Sequence, residues 1–295
     1  MERSAFRSRQ DRAFPYVAIL PAVAVIILVG LIPAIHTFVL SLESYELIHP
    51  PAKFIGLSNY LDLLFNNPRY LHALSFTVLF ALAATGLELV GGFIIAYLLA
   101  DRDVSHVYSS LIRTLLMVPF VVAPIAVSYT FKTLIYDQTF GYLSYFLRLL
   151  ALPPFNLFHG TVNPTVGILV MEVILRAPFI AIVVYAGLSS IDPEISYAAD
   201  IDGASSLQKI VRIVLPIILP ILIVAAVLRF MDALKMFDEI YVLNAGGPGY
   251  TTENVSLFAV TQAFSYFHMG YAAAAAFVFL ILVIILVSYF MRAFR

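Results

Sequence analysis

The chain of 295 residues contains no cysteine and no tryptophan, and only 12% of its residues are charged. Without cysteine there can be no disulfides, cysteine metal sites or thiol nucleophiles. The six histidines are scattered and show no paired ligand spacing, so redox and zinc chemistry are not expected. A formal net charge of -1 provides no basic stripe for a polyanion, so nucleic acid is not an expected partner.

Apolar sequence is abundant instead. Hydrophobic residues make up 62% of the chain, and the mean hydropathy is +0.96; a soluble domain usually carries about 25% charged residues. Apolar runs long enough for the roughly 20 residues that cross a bilayer recur along the chain. They predict an all-α polytopic membrane protein with six transmembrane helices, at about 15–40, 72–100, 111–135, 165–188, 213–233 and 271–291.

The first apolar run exceeds the roughly 7–15 residues of a signal-peptide core, so we expect an uncleaved first span. Residues 1–14 then form an amino-terminal segment, and residues 15–295 form one transmembrane domain.

The distribution of Lys and Arg indicates orientation, because short cytoplasmic loops retain positive charge. With the amino terminus inside, the outer segments carry five such residues: Lys53, Arg69, Lys132, Arg148 and Lys235. The inner segments carry ten, namely Arg3, Arg7, Arg9, Arg12, Arg102, Arg113, Lys209, Arg212, Arg292 and Arg295. Both termini are therefore predicted to be cytoplasmic, as are the loops 101–110 and 189–212.

The outer segment 136–164 carries apolar residues at helical spacing, namely Tyr142, Leu143, Phe146, Leu149 and Leu150, followed by Pro153-Pro154. This spacing predicts an amphipathic helix at the membrane interface. An ordered loop with a few anchoring aromatic residues is the alternative.

The inner loop between spans four and five is amphipathic. Asp192 suits a helix cap, Pro193 the first helical position and Glu194 the positive end of a helix dipole. Gly203 permits a turn, after which apolar residues recur every three to four positions up to Val214. Two short helices at about 192–212 are predicted. On composition alone, a surface helix that links two spans would explain them.

Three short motifs in this loop resemble the coupling-loop signature of ABC importer permeases. They are Ala198-Ala199, Asp202-Gly203-Ala204 and Leu215-Pro216, with eleven residues between Gly203 and Leu215. Tyr197 stands where the signature usually has Glu, and Ile210 where it often has Phe. The resemblance implies contacts with an ATPase subunit by Glu194, Tyr197, Ala198, Ala199, Asp202, Gly203, Ala204, Leu215 and Pro216.

A second stretch, from Arg229 to Asn254, resembles the sequence after span five in carbohydrate importer permeases. The matching parts are Phe237-Asp238, Ile240-Tyr241-Val242-Leu243 and the run Gly246, Gly247, Pro248, Gly249. The segments Phe54–Tyr60 and Glu172–Phe179 are also similar to that family. Together these motifs relate the chain to the maltose- and trehalose-type sugar permeases.

This resemblance implies a permease subunit that imports a di- or oligosaccharide such as trehalose or maltose by alternating access. The expected partners are a second homologous permease, two cytoplasmic ABC ATPases and an extracytoplasmic solute-binding protein, which would contact Gly246, Gly247, Pro248 and Gly249. The expected location is the cytoplasmic (inner) membrane. The glycine run lacks the Lys-Ser/Thr of a phosphate-binding loop. We therefore expect no enzyme activity and no cofactor in this chain, with ATP and Mg bound by the ATPase partners.

Ionisable residues inside the predicted spans cost roughly 2.5–3.5 kcal/mol each and usually face a partner or an aqueous path. Glu172 and Arg176 could instead pair with each other on one helix face, and Arg229 and Asp232 could reach the interface. Glu88 fits an interhelical contact better than a solute contact. The candidates for the solute pathway are Tyr129, Glu172, Arg176, Tyr185, Arg229, Asp232 and Asn244.

Arg176 and Arg229 also leave open an importer of glycerol-3-phosphate or another polyol. A membrane enzyme or a channel would need a convergent catalytic set or a selectivity filter, and the sequence has neither pattern.

Overall fold

The computed structural model describes residues 9–49, 51–100, 106–153, 155–160 and 162–293. The predictions on Arg3, Arg7, Arg102 and Arg295, and on residues 101–105 of the first inner loop, lie outside the described residues. The described part of the chain is mostly helical, and it contains no strand beyond two isolated β-bridges. The all-α prediction is confirmed.

The helices are α1 (Arg9–Val25), α2 (Ile32–Ser41), α3 (Ser58–Leu61), α4 (Pro68–Leu99), α5 (His106–Val121), α6 (Pro124–Thr130), α7 (Tyr142–Leu149), α8 (Val162–Ser189), α9 (Pro193–Ile201), α10 (Ser206–Lys209), α11 (Leu215–Leu234), α12 (Asp238–Asn244), α13 (Val255–Val260) and α14 (Met269–Ala293). Short π-helical segments lie at Ile26–Leu31, Asp62–Asn66, Phe131–Ile135, Ile210–Val214 and Thr261–Ser265.

Five continuous helical stretches are long and apolar enough to cross a membrane: Tyr16–Ser41, Pro68–Leu99, Val162–Ser189, Ser206–Leu234 and Met269–Arg292. They correspond to five of the six predicted spans. The fifth of the predicted spans begins seven residues earlier than expected, because the helix runs without interruption from α10 through a π-helical segment into α11.

The third predicted span, 111–135, is two helices rather than one. Val107–Val121 and Pro124–Ile135 meet at an angle of 97°. Ala123, between them, has φ -56 and ψ 131, because the ring of the following Pro124 disfavours the α conformation at the preceding residue. The structure therefore has five membrane-length helices, or six if this bent pair counts as one span.

The chain divides into two compact units. The first contains the described residues up to Asn66 together with Ala259–Val278, and the second contains Asn67–Phe258 and the described residues from Phe279 onward. In the first unit, the rings of Phe38 and Phe277 lie 4.9 Å apart. Tyr271 there donates a 2.7 Å hydrogen bond to Asp62.

The second unit is built around α4, α8 and α11, which bury stripes of small and apolar residues against one another. At Gly92, α4 lies close against α8: a Cβ atom there would lie 2.6 Å from the Ile180 side chain and 2.8 Å from the Ala177 carbonyl oxygen. Glycine is thus required at this position because the two helices are too close for a side chain.

The segment 136–164, predicted to contain an amphipathic helix, does contain one, α7. Tyr142, Phe146 and Leu149 are exposed on it, whereas Ser144 is buried. The loop alternative is excluded for these residues.

Candidate functional site

A buried cluster of charged side chains joins the three central helices of the second unit. Arg229 of α11 donates from Nε to Glu88 Oε2 of α4 at 2.8 Å and from Nη2 to Glu88 Oε1 at 3.1 Å. The same Nη2 donates to Glu172 Oε1 of α8 at 2.9 Å. The three residues are at most 2% exposed. The opposite charges bond to one another, which offsets part of the cost of burying them in an apolar bundle.

A second ion pair adjoins this cluster. Arg176 Nη2 of α8 donates to Glu239 Oε1 of α12 at 3.1 Å, and Arg176 Nε lies 3.6 Å from Glu172 Oε1. Glu172 Oε2 and Arg176 Nε are buried and have no hydrogen-bond partner within the described part of the chain. This polar network is therefore only partly satisfied, and each buried polar atom without a partner costs stability.

These contacts can be compared with the pairings predicted for the charged residues inside the spans. Glu88 makes the interhelical contact expected of it, with Arg229. Arg229 is buried and does not extend to the surface, whereas Asp232, 3.3 Å from it, is 58% exposed. Glu172 and Arg176 approach each other, but their shorter bonds go to Arg229 and Glu239.

A cavity of about 350 Å³ opens beside the two ion pairs. Four of the seven predicted pathway residues line it: Glu172, Arg176, Arg229 and Asp232. Its volume is at the lower end of the range for small-molecule sites, roughly 300–1,000 Å³. The structure thus gathers the charged candidates at one site.

The other three candidates are elsewhere in the second unit. Tyr129 is 62% exposed, and the Tyr185 ring lies 4.2 Å below the Arg113 guanidinium. Asn244 donates to the Gly247 carbonyl at 2.6 Å and to Thr252 Oγ1 at 2.8 Å. Asn244 therefore holds the turn after α12, and none of the three lines the cavity.

Sequence reasoning missed the aromatic residues and part of the charge at this site. Phe120 of α5 and Phe237, just before α12, line the cavity, together with Lys235, Met236, Asp238 and Glu239. The Arg176 guanidinium carbon lies 5.8 Å from the centre of the Phe120 ring. The charged residues between Asp232 and Glu239, at the end of an apolar helix, could have indicated this site from the sequence.

The glycine-rich run Gly246-Gly247-Pro248-Gly249 forms the turn between α12 and α13. Ala245, Gly246 and Gly249 have positive φ angles there. Close by in sequence, Glu253 accepts two 2.6 Å hydrogen bonds from Arg69, which lies in the first turn of α4. Glu253, four positions after this turn, is thus bonded to a membrane-length helix.

Between α8 and α11 the chain forms α9, a tight turn and α10, and α10 continues through a π-helical segment into α11. Asp192 caps α9 by accepting a 2.9 Å hydrogen bond from the Glu194 backbone amide. Gly203 turns the chain with φ +71. Ser205 and Gln208 form a capping box that starts α10, a feature that the sequence prediction did not include although the Ser-x-x-Gln spacing is visible.

Apolar side chains of this helix pair are exposed, among them Tyr197 at 55% and Ile201 at 86%. Lys209 of α10 forms an ion pair with Asp200 of α9, which holds the two helices together. The α9–α10 pair therefore has exposed apolar side chains beside its ion pair.

Comparison with known proteins gives consistent results. The family described as "Binding-protein-dependent transport system inner membrane component" matches residues 88–294. The trehalose/maltose transport system permease protein of Thermococcus litoralis is 33% identical over 255 residues, covering 86% of this chain and 83% of that protein. A trehalose transport system permease protein of Mycobacterium tuberculosis is 28% identical, covering 96% of this chain and 89% of that protein.

A solved structure has the same fold. It is described as a bacterial alginate ABC transporter in complex with an alginate pentasaccharide-bound periplasmic protein. A chain of that complex superposes with a TM-score of 0.77 at 22% identity, covering 95% of this chain and 93% of the other.

Proposed function

The chain belongs to the binding-protein-dependent transport system inner membrane component family, as a permease subunit of the ABC sugar importers, and on this premise we propose that it forms half of a sugar translocation pathway. The observation that carries the proposal is the cavity beside the buried charge cluster. Membrane-length helices rarely bury charge without a functional reason. Here the charge surrounds a space large enough for a small solute.

The chemistry of the cavity suits a sugar. Aromatic rings pack against the apolar C–H faces of a pyranose, and carboxylates and guanidinium groups bond its hydroxyls. Phe120 and Phe237 supply rings, and Glu172, Arg176 and Asp232 supply polar groups. We assign a di- or oligosaccharide such as trehalose or maltose as the solute, since relatives named for these two sugars match most of the chain.

We further propose six spans, with α5 and α6 as one broken span. The distribution of Lys and Arg then gives cytoplasmic termini and a cytoplasmic α9–α10 pair. In an alternating-access cycle, ATP binding would close two ATPase partners, move α9–α10 and open the cavity outward.

The proposed assembly contains a second permease, two ABC ATPases and an external solute-binding protein. The solved alginate transporter was captured with a periplasmic protein, which supports a binding-protein partner for this chain. We propose Gly246, Gly247, Pro248 and Gly249 as its contact, and Glu194, Tyr197, Ala198, Ala199, Asp202, Gly203, Ala204, Leu215 and Pro216 as the ATPase contact. ATP and Mg would be bound by the ATPase partners.

A glycerol-3-phosphate importer is less well supported by the geometry. It would need a cation available to the phosphate, but Arg176 and Arg229 already bond to carboxylates. A membrane enzyme or a channel is disfavoured because the family match covers residues 88–294.

The proposal is tested by purifying the tagged chain from its native membrane and reconstituting what accompanies it. We expect a second permease and an ATPase to copurify, and the proteoliposomes to take up trehalose or maltose when ATP and the binding protein are present. Isolation of the chain without these partners would contradict the importer assignment. ATP-dependent uptake of glycerol-3-phosphate without sugar uptake would favour the alternative.

A further inference from the structure

The walls of the cavity carry more negative than positive charge. Among the described residues, its lining contains four carboxylates, Glu172, Asp232, Asp238 and Glu239, and three cations, Arg176, Arg229 and Lys235. Glu88, bonded to Arg229 behind the wall, adds a fifth carboxylate. With every group ionised, the site carries an excess of negative charge.

Each cation of the lining is already committed to a carboxylate. Arg229 bonds to Glu88 and Glu172, and Arg176 bonds to Glu239 at 3.1 Å. Lys235 lies 3.4 Å from Asp232. A solute anion would therefore meet arginines whose charge is already offset by carboxylates, with only Lys235, 60% exposed, open to solvent.

We propose that this cavity is a charge filter that admits uncharged sugars and excludes phosphorylated or acidic ones. The inference rests on the proposed function, because it specifies the class of solute that the pathway accepts. Like charges brought close together in a site of low dielectric repel each other, and such repulsion discriminates against an anionic ligand. An uncharged hydroxyl solute avoids this repulsion and can still bond to carboxylate oxygens.

Glu239 is the specificity-determining residue of the filter. Arg176, its partner, is the more accessible of the two arginines, with 19% of its side chain exposed against 3% for Arg229. Without the Glu239 charge, the Arg176 guanidinium would face the cavity with an unsatisfied Nη2. That group could then bond a phosphate, which guanidinium groups bind strongly.

The test uses the assembled transporter, with its partner permease and ATPases, in nanodiscs saturated with ADP. Binding of glycerol 3-phosphate is measured by isothermal titration calorimetry. We expect Glu239→Gln to bind this probe at least tenfold more tightly than the parent, and the gain to disappear in Glu239→Gln/Arg176→Gln. Asp62→Asn is the matched control, since it also removes one carboxylate, but from a residue bonded to the Tyr271 hydroxyl and not to a cation.

If Glu239→Gln does not yield folded complex, Asp232→Asn serves as the second variant, because Asp232 is 58% exposed and not part of the buried core. It should give a smaller gain, of severalfold. Parent binding as tight as that of the folded variant, or an equal gain in Asp62→Asn, would overturn the filter. Uptake of trehalose or maltose by the parent complex is measured in parallel in proteoliposomes. If the parent takes up neither sugar, the sugar importer is refuted. If it does take up sugar but Glu239→Gln does not bind glycerol 3-phosphate more tightly than the parent, only the filter is refuted.

Discussion

Two ion pairs in this chain have similar chemistry and opposite surroundings. Arg229 and Glu88 meet in the interior of the second unit, at most 2% exposed, and join helices 141 positions apart in sequence. Lys209 and Asp200 meet nine positions apart on the helix pair α9–α10, where the Asp200 side chain is 57% exposed. Only the first pair is shielded from solvent.

The difference indicates what each region does. Buried charges hold fixed positions and depend strongly on their partners, so they can define a solute site. The exposed helix pair keeps its shape through local devices, namely two caps and a glycine turn, while presenting apolar side chains to the outside. The α9–α10 pair and the buried charges are the two parts that the proposed transport cycle would couple.

The largest expected effect is at Arg229. Arg229→Gln leaves Glu88 and Glu172 buried without their cation, and breaking such a cluster typically costs about 3–5 kcal/mol. Thermal unfolding of the purified complex should show this loss, and Glu88→Gln/Arg229→Gln should recover part of it, because Glu172 still lacks the Arg229 charge. If the double variant is no more stable than the single one, the pair is not the source of the effect.

The next largest loss of stability is expected from a change in helix packing beside the cluster. Gly92→Ala would place a Cβ atom 2.6 Å from the Ile180 side chain and 2.8 Å from a backbone oxygen, so a loss of about 1–3 kcal/mol is expected. Gly86→Ala is the control on the same helix, since nothing lies within 4 Å of its Cβ position. Equal stabilities of the two variants would contradict the close contact of α4 and α8.

A smaller effect is expected at the exposed helix pair. Tyr197→Ala should weaken binding of the ATPase subunit about tenfold, or about 1.4 kcal/mol, because the half-exposed ring would be buried by the partner. Tyr197→Glu tests whether a charge at this position can replace the ring. Affinity is measured between the reconstituted permease pair and the isolated ATPase. Unchanged binding by the Ala variant would exclude this side chain from the contact.

The smallest effect is at the exposed ion pair. Asp200→Asn should change stability by less than about 1 kcal/mol, because solvent and salt screen exposed pairs. Unfolding measured at low and high salt should show a difference that shrinks as salt rises. A loss as large as that of Arg229→Gln would show that burial does not separate the two regions.

The sequence predicted the apolar helices well because their length is set by the membrane. The spans expected at 72–100 and 165–188 correspond to Pro68–Leu99 and Val162–Ser189. The cap at Asp192 and the turn at Gly203 were also predictable, since both depend on neighbouring residues. The span expected at 111–135 instead contains the break at Ala123.

The partners within the site could not be predicted. Glu88 and Arg229 are separated by 141 positions, and neither periodicity nor local spacing carries information about which helices pack together. The same holds for Arg176 and Glu239, which are 63 positions apart. Sequence reasoning identified costly charges inside the spans, and the packing of α4, α8, α11 and α12 determined how they pair.

We propose that the exposed helix pair couples ATP hydrolysis by the ATPase partners to movement of the charged interior. It is tested by measuring sugar uptake and ATP hydrolysis in the same proteoliposomes for Gly203→Val, with Gly203→Asn as the control because asparagine tolerates a positive φ angle. We expect the Val variant to transport far less sugar per ATP hydrolysed than the parent, with the Asn variant close to the parent. Unchanged uptake and unchanged ATP hydrolysis in the Val variant would contradict the claim.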